Sequence, residues 1–214
     1  MKIMISEIFY SLQGEGIQIG IPTVFVRLFG CDLRCSWCDS MYAVEGTDFR
    51  TLEINHVINT ILSYQCSNIC ITGGEPLLQL EQTVFLTEKL IEGDKRVILE
   101  TAGHRELPDI FENSNTIVSM DCKCPSSGMD LKSDLKNLIQ LKPKDQIKFV
   151  LADNDDYIFA RNIVKQNPFR AEIIFQPVYG HEISEIADAV IKDQLKVRVL
   201  PQLHKDIWGD IKGV

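Results

Sequence analysis

No apolar run in this chain approaches the roughly 20 residues a membrane-crossing helix needs, so no membrane partner is expected. The opening stretch MKIMISEIFYSLQGEG lacks a secretory-signal layout, because Ser6 and Glu7 interrupt its apolar run. A cytoplasmic location is the expectation. Basic residues are in deficit: 22 Lys and Arg stand against 30 Asp and Glu, a net charge of −8. That balance argues against nucleic acid as a partner, since such binding neutralises phosphates with Lys and Arg. Histidine is scarce, and the four present (His56, His104, His181, His204) show no His-x3-His or similar metal spacing. Only His204, in the closing PQLHK, is expected near a site. Internal repeats, linkers and low-complexity segments are also missing, so residues 1–214 read as one domain, long enough to bury its own core. With 45% apolar and 24% charged residues, the composition is that of a folded chain.

Cysteine is not scarce. Seven thiols (Cys31, Cys35, Cys38, Cys66, Cys70, Cys122, Cys124) form an odd set that fits a disulfide framework poorly in a reducing compartment. Three of them lie in GCDLRCSWCD, spaced Cys31-x3-Cys35-x2-Cys38. A structural zinc site wants four protein ligands, and no fourth thiol is adjacent. One of the other four could supply it after folding, so zinc stays open. A [4Fe–4S] cluster is also held by thiolates, ordinarily four; with three, one iron keeps an open coordination position. The pairs Cys66-x3-Cys70 and Cys122-x-Cys124 read as small buried hydrophobes.

Short β-branched runs at 23–29, 68–72, 96–100, 116–120, 146–151, 171–176 and 196–200 predict buried strands. Between them, 53–65 and 182–192 carry apolar residues at helical spacing, and 77–92 and 154–166 also read as helices. Strand–helix alternation implies a parallel sheet with crossover helices. The expected fold class is α/β: an open doubly wound sheet or, preferred, a partial TIM-like barrel of about six mostly parallel strands. In either, ligands collect beyond the carboxyl ends of the strands. GCDLRCSWCD, GGEP (73–76), TAGH (101–104) and DCKCPSSG (121–128) each follow a predicted strand and so share one rim.

Cys-x3-Cys-x2-Cys after the first strand of an α/β chain resembles the radical S-adenosylmethionine (SAM) superfamily. The resemblance implies a [4Fe–4S] cluster on Cys31, Cys35 and Cys38, with SAM on the open iron and cleaved to a 5′-deoxyadenosyl radical. Trp37, before the last cysteine, is then expected beside the adenine. In ITGGEP, two glycines permit close backbone approach and Glu75 can accept from an ammonium; the segment resembles the superfamily's SAM amino-group site. A turn into the following helix explains the glycines equally well.

A narrower resemblance rests on Phe9, Ser11, Gln13, Gly14, Glu15 and Gly16, then Arg27, then Cys31 through Ser40. These are similar to the 7-carboxy-7-deazaguanine synthases, and TGGEP, ETAG (100–103), the run at 123–129 and VLPQLHKDIWG (199–209) extend the likeness over nearly the whole chain. That family's reaction converts 6-carboxy-5,6,7,8-tetrahydropterin to 7-carboxy-7-deazaguanine with loss of ammonia, with SAM and Mg2+, in queuosine and deazapurine biosynthesis. A homodimer and a reducing protein such as a flavodoxin or ferredoxin are implied as well. Carried over residue by residue, SAM contacts fall on Trp37, Asp39, Gly73, Gly74, Glu75, Asp121 and Lys123. Substrate contacts fall on Leu12, Gln13, Gly14, Glu15, Arg27 and Thr72, and Mg2+ on Ser40. The chemistry suits them: a guanidinium pairs a carboxylate bidentately, amides read a pterin edge, and Mg2+ takes oxygen ligands and keeps waters. Plainer roles stand beside these: Arg27 pairing another acid, Gln13–Gly16 as a turn, Ser40 as a helix N-cap. The chain departs from the family in Asp121-Cys122 where many members carry Ser-Pro, and in its ending, IKGV, where members often close on proline. A glycyl-radical activating enzyme and a zinc-stabilised binding module remain as alternatives.

Overall fold

The computed structural model describes residues 1–214. Its nine strands form one sheet in the order β3-β1-β2-β4-β5-β6-β7-β8-β9. They are β1 (Lys2–Leu12), β2 (Pro22–Leu28), β3 (Arg50–Glu53), β4 (Asn68–Gly73), β5 (Arg96–Thr101), β6 (Thr116–Asp121), β7 (Gln146–Leu151), β8 (Glu172–Pro177) and β9 (Arg198–Val199). From β2 to β9 every pairing is parallel. β1 is antiparallel to both β2 and β3. β3 and β9 do not pair, so the sheet is open. The expected open α/β sheet of about six mostly parallel strands is present as seven parallel strands, extended by the antiparallel β1 and β3.

Helices α1 (Met41–Val44), α2 (Ile54–Ser63), α3 (Leu80–Glu92), α4 (Leu135–Ile139), α5 (Asn154–Gln166), α6 (Ile183–Asp193) and α7 (Leu203–Trp208) occupy the connections. None is long and apolar enough to cross a membrane. In α2 the stripe of Ile54, Val57, Ile58 and Ile61 is buried, as its helical spacing requires. These residues join Val24, Val26, Leu28, Ile69, Ile71, Leu99, Met120, Ile147, Phe149 and Phe175 in the main core on one face of the sheet.

Successive strand residues point to opposite faces, so the residues between those core positions face away from the helices. At the carboxyl ends they are polar: Arg27, Thr72, Glu100, Asp121, Lys148 and Gln176, which all line one cavity of about 450 Å³. A second small cluster of Phe25, Cys70, Ile98 and Ile117 supports that face from below. A sheet that is apolar against its helices and polar at its rim is thus the scaffold of the site.

Strand β1 breaks the period of two. Ile5 pairs with Leu28, yet Glu7 pairs with Arg27, leaving Ser6 as an extra residue in the ladder. This is a β-bulge, a feature that re-aims side chains beside functional sites.

Candidate active site

The thiol loop leaves β2 at Gly30, whose φ of +101° belongs to the region glycine enters without strain. It is sewn to the GGEP turn by backbone bonds from Gly74 to the Leu28 carbonyl (3.1 Å) and from Glu75 to the Gly30 carbonyl (2.8 Å). A Cβ on Gly73 would stand 2.1 Å from the Leu28 oxygen, and one on Gly74 2.2 Å from the Gly30 oxygen. Both glycines are therefore required by contact between two loops. Glu75 lies off the cavity wall: its buried carboxylate accepts from Leu77 and Ala102 N–H and from the Thr101 hydroxyl. The geometry thus gives it an anchoring role at the strand ends, beside its expected role as an acceptor for a ligand ammonium.

Cys31, Cys35 and Cys38 are free, half-buried, and on the cavity wall. Burial pushes the Cys31 and Cys35 thiols up from their ordinary range. Asp32 is held by His104 (2.8 Å) and Arg105 (2.7 Å), which fixes the loop's outer side. No three His, Cys, Asp or Glu side chains converge closely enough for a single metal ion. Cys66, Cys70, Cys122 and Cys124 are all buried and absent from the wall, so none completes a zinc tetrahedron. Three separate thiols on one half-buried loop do match a cubane, which offers a different iron to each thiolate. The residues present fit that group.

Trp37 donates through Nε1 to the Ser126 hydroxyl (3.0 Å), and the Lys123 ammonium lies 5.4 Å from its ring centroid. Ser126 is itself held by Asp156 on α5, which accepts from its N–H (2.9 Å) and from its hydroxyl. The neighbouring Ser36 bonds the Ser126 and Ser127 carbonyls. Asp156 thereby fixes the Trp37 ring of the thiol loop through one intervening group, the Ser126 hydroxyl. Asp39 pairs with Lys205 (3.0 Å) on α7. Ser40 stands at the N-cap position of α1 but its side chain makes no cap bond, so the plain capping role is not realised; the residue lines the cavity.

Toward β1 and the C-terminal segment, the cavity becomes a mixed polar surface. Arg27 is engaged at Nε by Glu7 (2.7 Å). Gln13 is 3% exposed and committed internally, donating to Glu100 (3.2 Å) and accepting from Glu15 N–H (3.2 Å). Thr72 donates to the other oxygen of Glu100 (2.9 Å). Glu15 receives the Gln202 amide (2.7 Å) and an ion pair from Lys148. Burial alone would raise the Glu15 carboxyl, but Lys148 and Gln202 hold it at about 2. Lys148 also faces Asp121 (3.4 Å), which pairs with Lys123 (2.7 Å); despite burial, these two ammonium groups keep the Asp121 carboxyl low. The turn at Gly14 touches the C-terminal segment. Leu203 N–H donates to its carbonyl (2.9 Å), and a Cβ there would meet His204 Nδ1 at 1.9 Å.

All the residues anticipated at the site are on the wall except Glu75. The reading missed Glu100, Lys148, Gln176 and Gln202, which are also on it. Gln176 is fully buried with neither amide atom bonded. A partial signal was there: each of the first three is a polar residue directly after an apolar residue of its strand, in RVILET, QIKFVL and EIIFQP.

An open parallel sheet with three thiols at its rim defines a radical SAM core. The model of the Radical SAM superfamily matches residues 26–139, more than half the chain. Curated relatives named 7-carboxy-7-deazaguanine synthase are 40% identical in Methanospirillum hungatei (95% of this chain, 84% of the relative) and 34% identical in Thermoplasma acidophilum (99% and 100%). The chain belongs to the 7-carboxy-7-deazaguanine synthase family. Among solved structures, QueE from Escherichia coli shares the fold at a TM-score of 0.78, with 23% identity and 95% coverage of both chains. SuiB from Streptococcus suis bound to S-adenosylmethionine superposes at 0.58 over 81% of this chain and 48% of its own, with 11% identity.

Proposed function

We propose that this chain converts 6-carboxy-5,6,7,8-tetrahydropterin to 7-carboxy-7-deazaguanine with release of ammonia, as a Mg2+-dependent carbon–nitrogen lyase. The observation that carries this reading is one cavity shared by three free thiols and by Arg27, whose terminal nitrogens have no partner in the chain. Cys31, Cys35 and Cys38 would hold a [4Fe–4S] cluster that, with SAM and an electron from a reducing protein such as a flavodoxin or ferredoxin, supplies a 5′-deoxyadenosyl radical.

The remaining chemistry belongs to the chain's own groups. Trp37, Asp39, Gly73, Gly74, Asp121 and Lys123 form the SAM side of the cavity, with Glu75 anchoring the glycine turn from behind. Arg27 takes the substrate carboxylate as a two-pronged donor. Ser40 would offer a hydroxyl oxygen to a bound Mg2+, a hard cation that prefers oxygen ligands. Leu12, Gly14 and Thr72 flank the pterin, while Gln13 and Glu15 shape its floor. The unbonded Gln176 amide gives a donor and an acceptor to the heterocycle edge, and Glu100, held by neutral donors, is a proton acceptor beside it. The enzyme works as a single-domain homodimer in the cytoplasm.

The test is direct. Anaerobically reconstituted protein, given SAM, reductant, Mg2+ and the carboxytetrahydropterin, is expected to release the deazapurine and ammonia, read by liquid chromatography with mass detection. Absence of product from protein with full iron and sulfide content would sink the reading.

A further inference from the structure

We propose that Glu7 is a positioning residue for substrate recognition, acting through Arg27, and that the bulge at Ser6 exists to put it there. This rests on the reading of Arg27 as the partner of a substrate carboxylate.

Ile3 and Ile5 are buried in the helix-side core. In an unbroken strand Glu7 would follow them onto that face, burying a carboxylate unfavourably among aliphatic side chains. The extra residue at Ser6 reverses the phase. Glu7 then stands directly opposite Arg27, and Phe9 opposite Phe25, their rings stacked at 4.9 Å on the cavity side. Ser6 carries the cost of the irregularity: its hydroxyl is buried without a partner.

What Glu7 does once there is specific. Its Oε1 accepts both from Arg27 Nε (2.7 Å) and from the Tyr42 hydroxyl (2.7 Å). Arg27 and Glu7 are largely buried, with side-chain exposures of 18% and 14%. The rings of Phe9 and Tyr42 each lie 5.9 Å from the guanidinium carbon. Binding at Nε stops the guanidinium turning about its last bond, and the rings limit its tilt. The two terminal nitrogens are then presented to the cavity in one orientation, so a bidentate carboxylate need not order them on arrival. Had Glu7 taken the terminal nitrogens instead, it would compete with the substrate. Its use of Nε leaves the fork open.

The experiment measures dissociation constants at fixed Mg2+ for the carboxylated pterin and for a tetrahydropterin lacking the carboxyl group. Glu7→Ala is expected to weaken the carboxylated ligand by about tenfold to a hundredfold, and the carboxyl-free ligand by less than about threefold. Glu7→Gln, which keeps the acceptor oxygen, recovers most of the loss, and Tyr42→Phe gives a smaller loss with the same preference. In an Arg27→Ala background Glu7→Ala adds nothing, as expected of a group acting through Arg27. Iron content and SAM affinity stay at wild-type levels. Equal losses for both ligands, or additive losses in the double variant, would make Glu7 merely structural and overturn the proposal. So would tighter binding in Glu7→Ala, which would mean its charge opposes the ligand. If Glu7→Ala does not fold, Tyr42→Phe alone decides by the same ligand comparison. Arg27→Ala with unchanged affinity overturns the carboxylate reading as well; a loss there, with none in Glu7→Ala, overturns only the role of Glu7.

Discussion

Two side chains on the cavity wall carry opposite stability signatures. Gln176 is buried with an unbonded amide, so replacing it with Leu removes an unsatisfied group and is expected to leave the fold as stable or more so. If that amide reads the pterin edge, Gln176→Leu raises the KM for the pterin about tenfold or more, because the substrate loses its partner. Melting curves and steady-state kinetics on one preparation check both halves. Glu15 behaves in the reverse way. Its folded-state pKa of about 2 lies below the ordinary 4.5, so its ionised form stabilises the fold at pH above 4.5 and that contribution is lost as pH falls toward 2. Glu15→Gln should melt at lower temperature than wild type near pH 6, with the gap closing through this window. A gap that stays constant with pH would show that the ion pair with Lys148 does not set acid stability.

At the scale of elements, α5 reaches the thiol loop through Asp156 and Ser126. Ser126→Ala removes the hydroxyl that accepts from Trp37, and the ring is then held by packing and Lys123 alone. SAM affinity is expected to fall about tenfold with iron content unchanged, measured by calorimetry on reconstituted protein. The same scale shows what the amino-acid order makes legible. The seven runs expected as strands and the four expected helices are all present, because the parallel strands are buried on both faces over most of their length, as Phe25, Cys70, Ile98 and Ile117 show opposite the main core, and so appear as continuous apolar runs. β1 escaped recognition for a physical reason: Ile3, Ile5 and Ile8 fit neither a period of two nor one of 3.6 once Ser6 intervenes. β3, only four residues long and largely exposed, offers a single apolar residue, Leu52, too little for a pattern. Motifs placed Cys31, Cys35, Cys38 and Arg27 at the site, since covalent and charge chemistry demand particular residue types. Whether Gln13 and Glu75 face a ligand or the protein depends on hydrogen bonds to residues 87 and 26 positions away. No local pattern encodes those partners.

For the whole molecule, the cavity draws wall residues from β1 through to the C-terminal segment. Ligands filling it bridge both ends of the chain, so they should raise the melting temperature of the entire fold in one step. At one hundred times its dissociation constant a ligand adds about 2.7 kcal/mol, or roughly 5–10 °C for a chain of this size. Calorimetry with SAM and the pterin, separately and together, measures it; two separated transitions would mean that the halves unfold independently.

The contact of Gly14 with Leu203 and His204 joins residues about 190 positions apart in sequence. Closing so long a loop costs chain entropy that is recovered only once the intervening strands have paired. This wall of the cavity is therefore expected to be among the last parts of the fold to form and among the first to open.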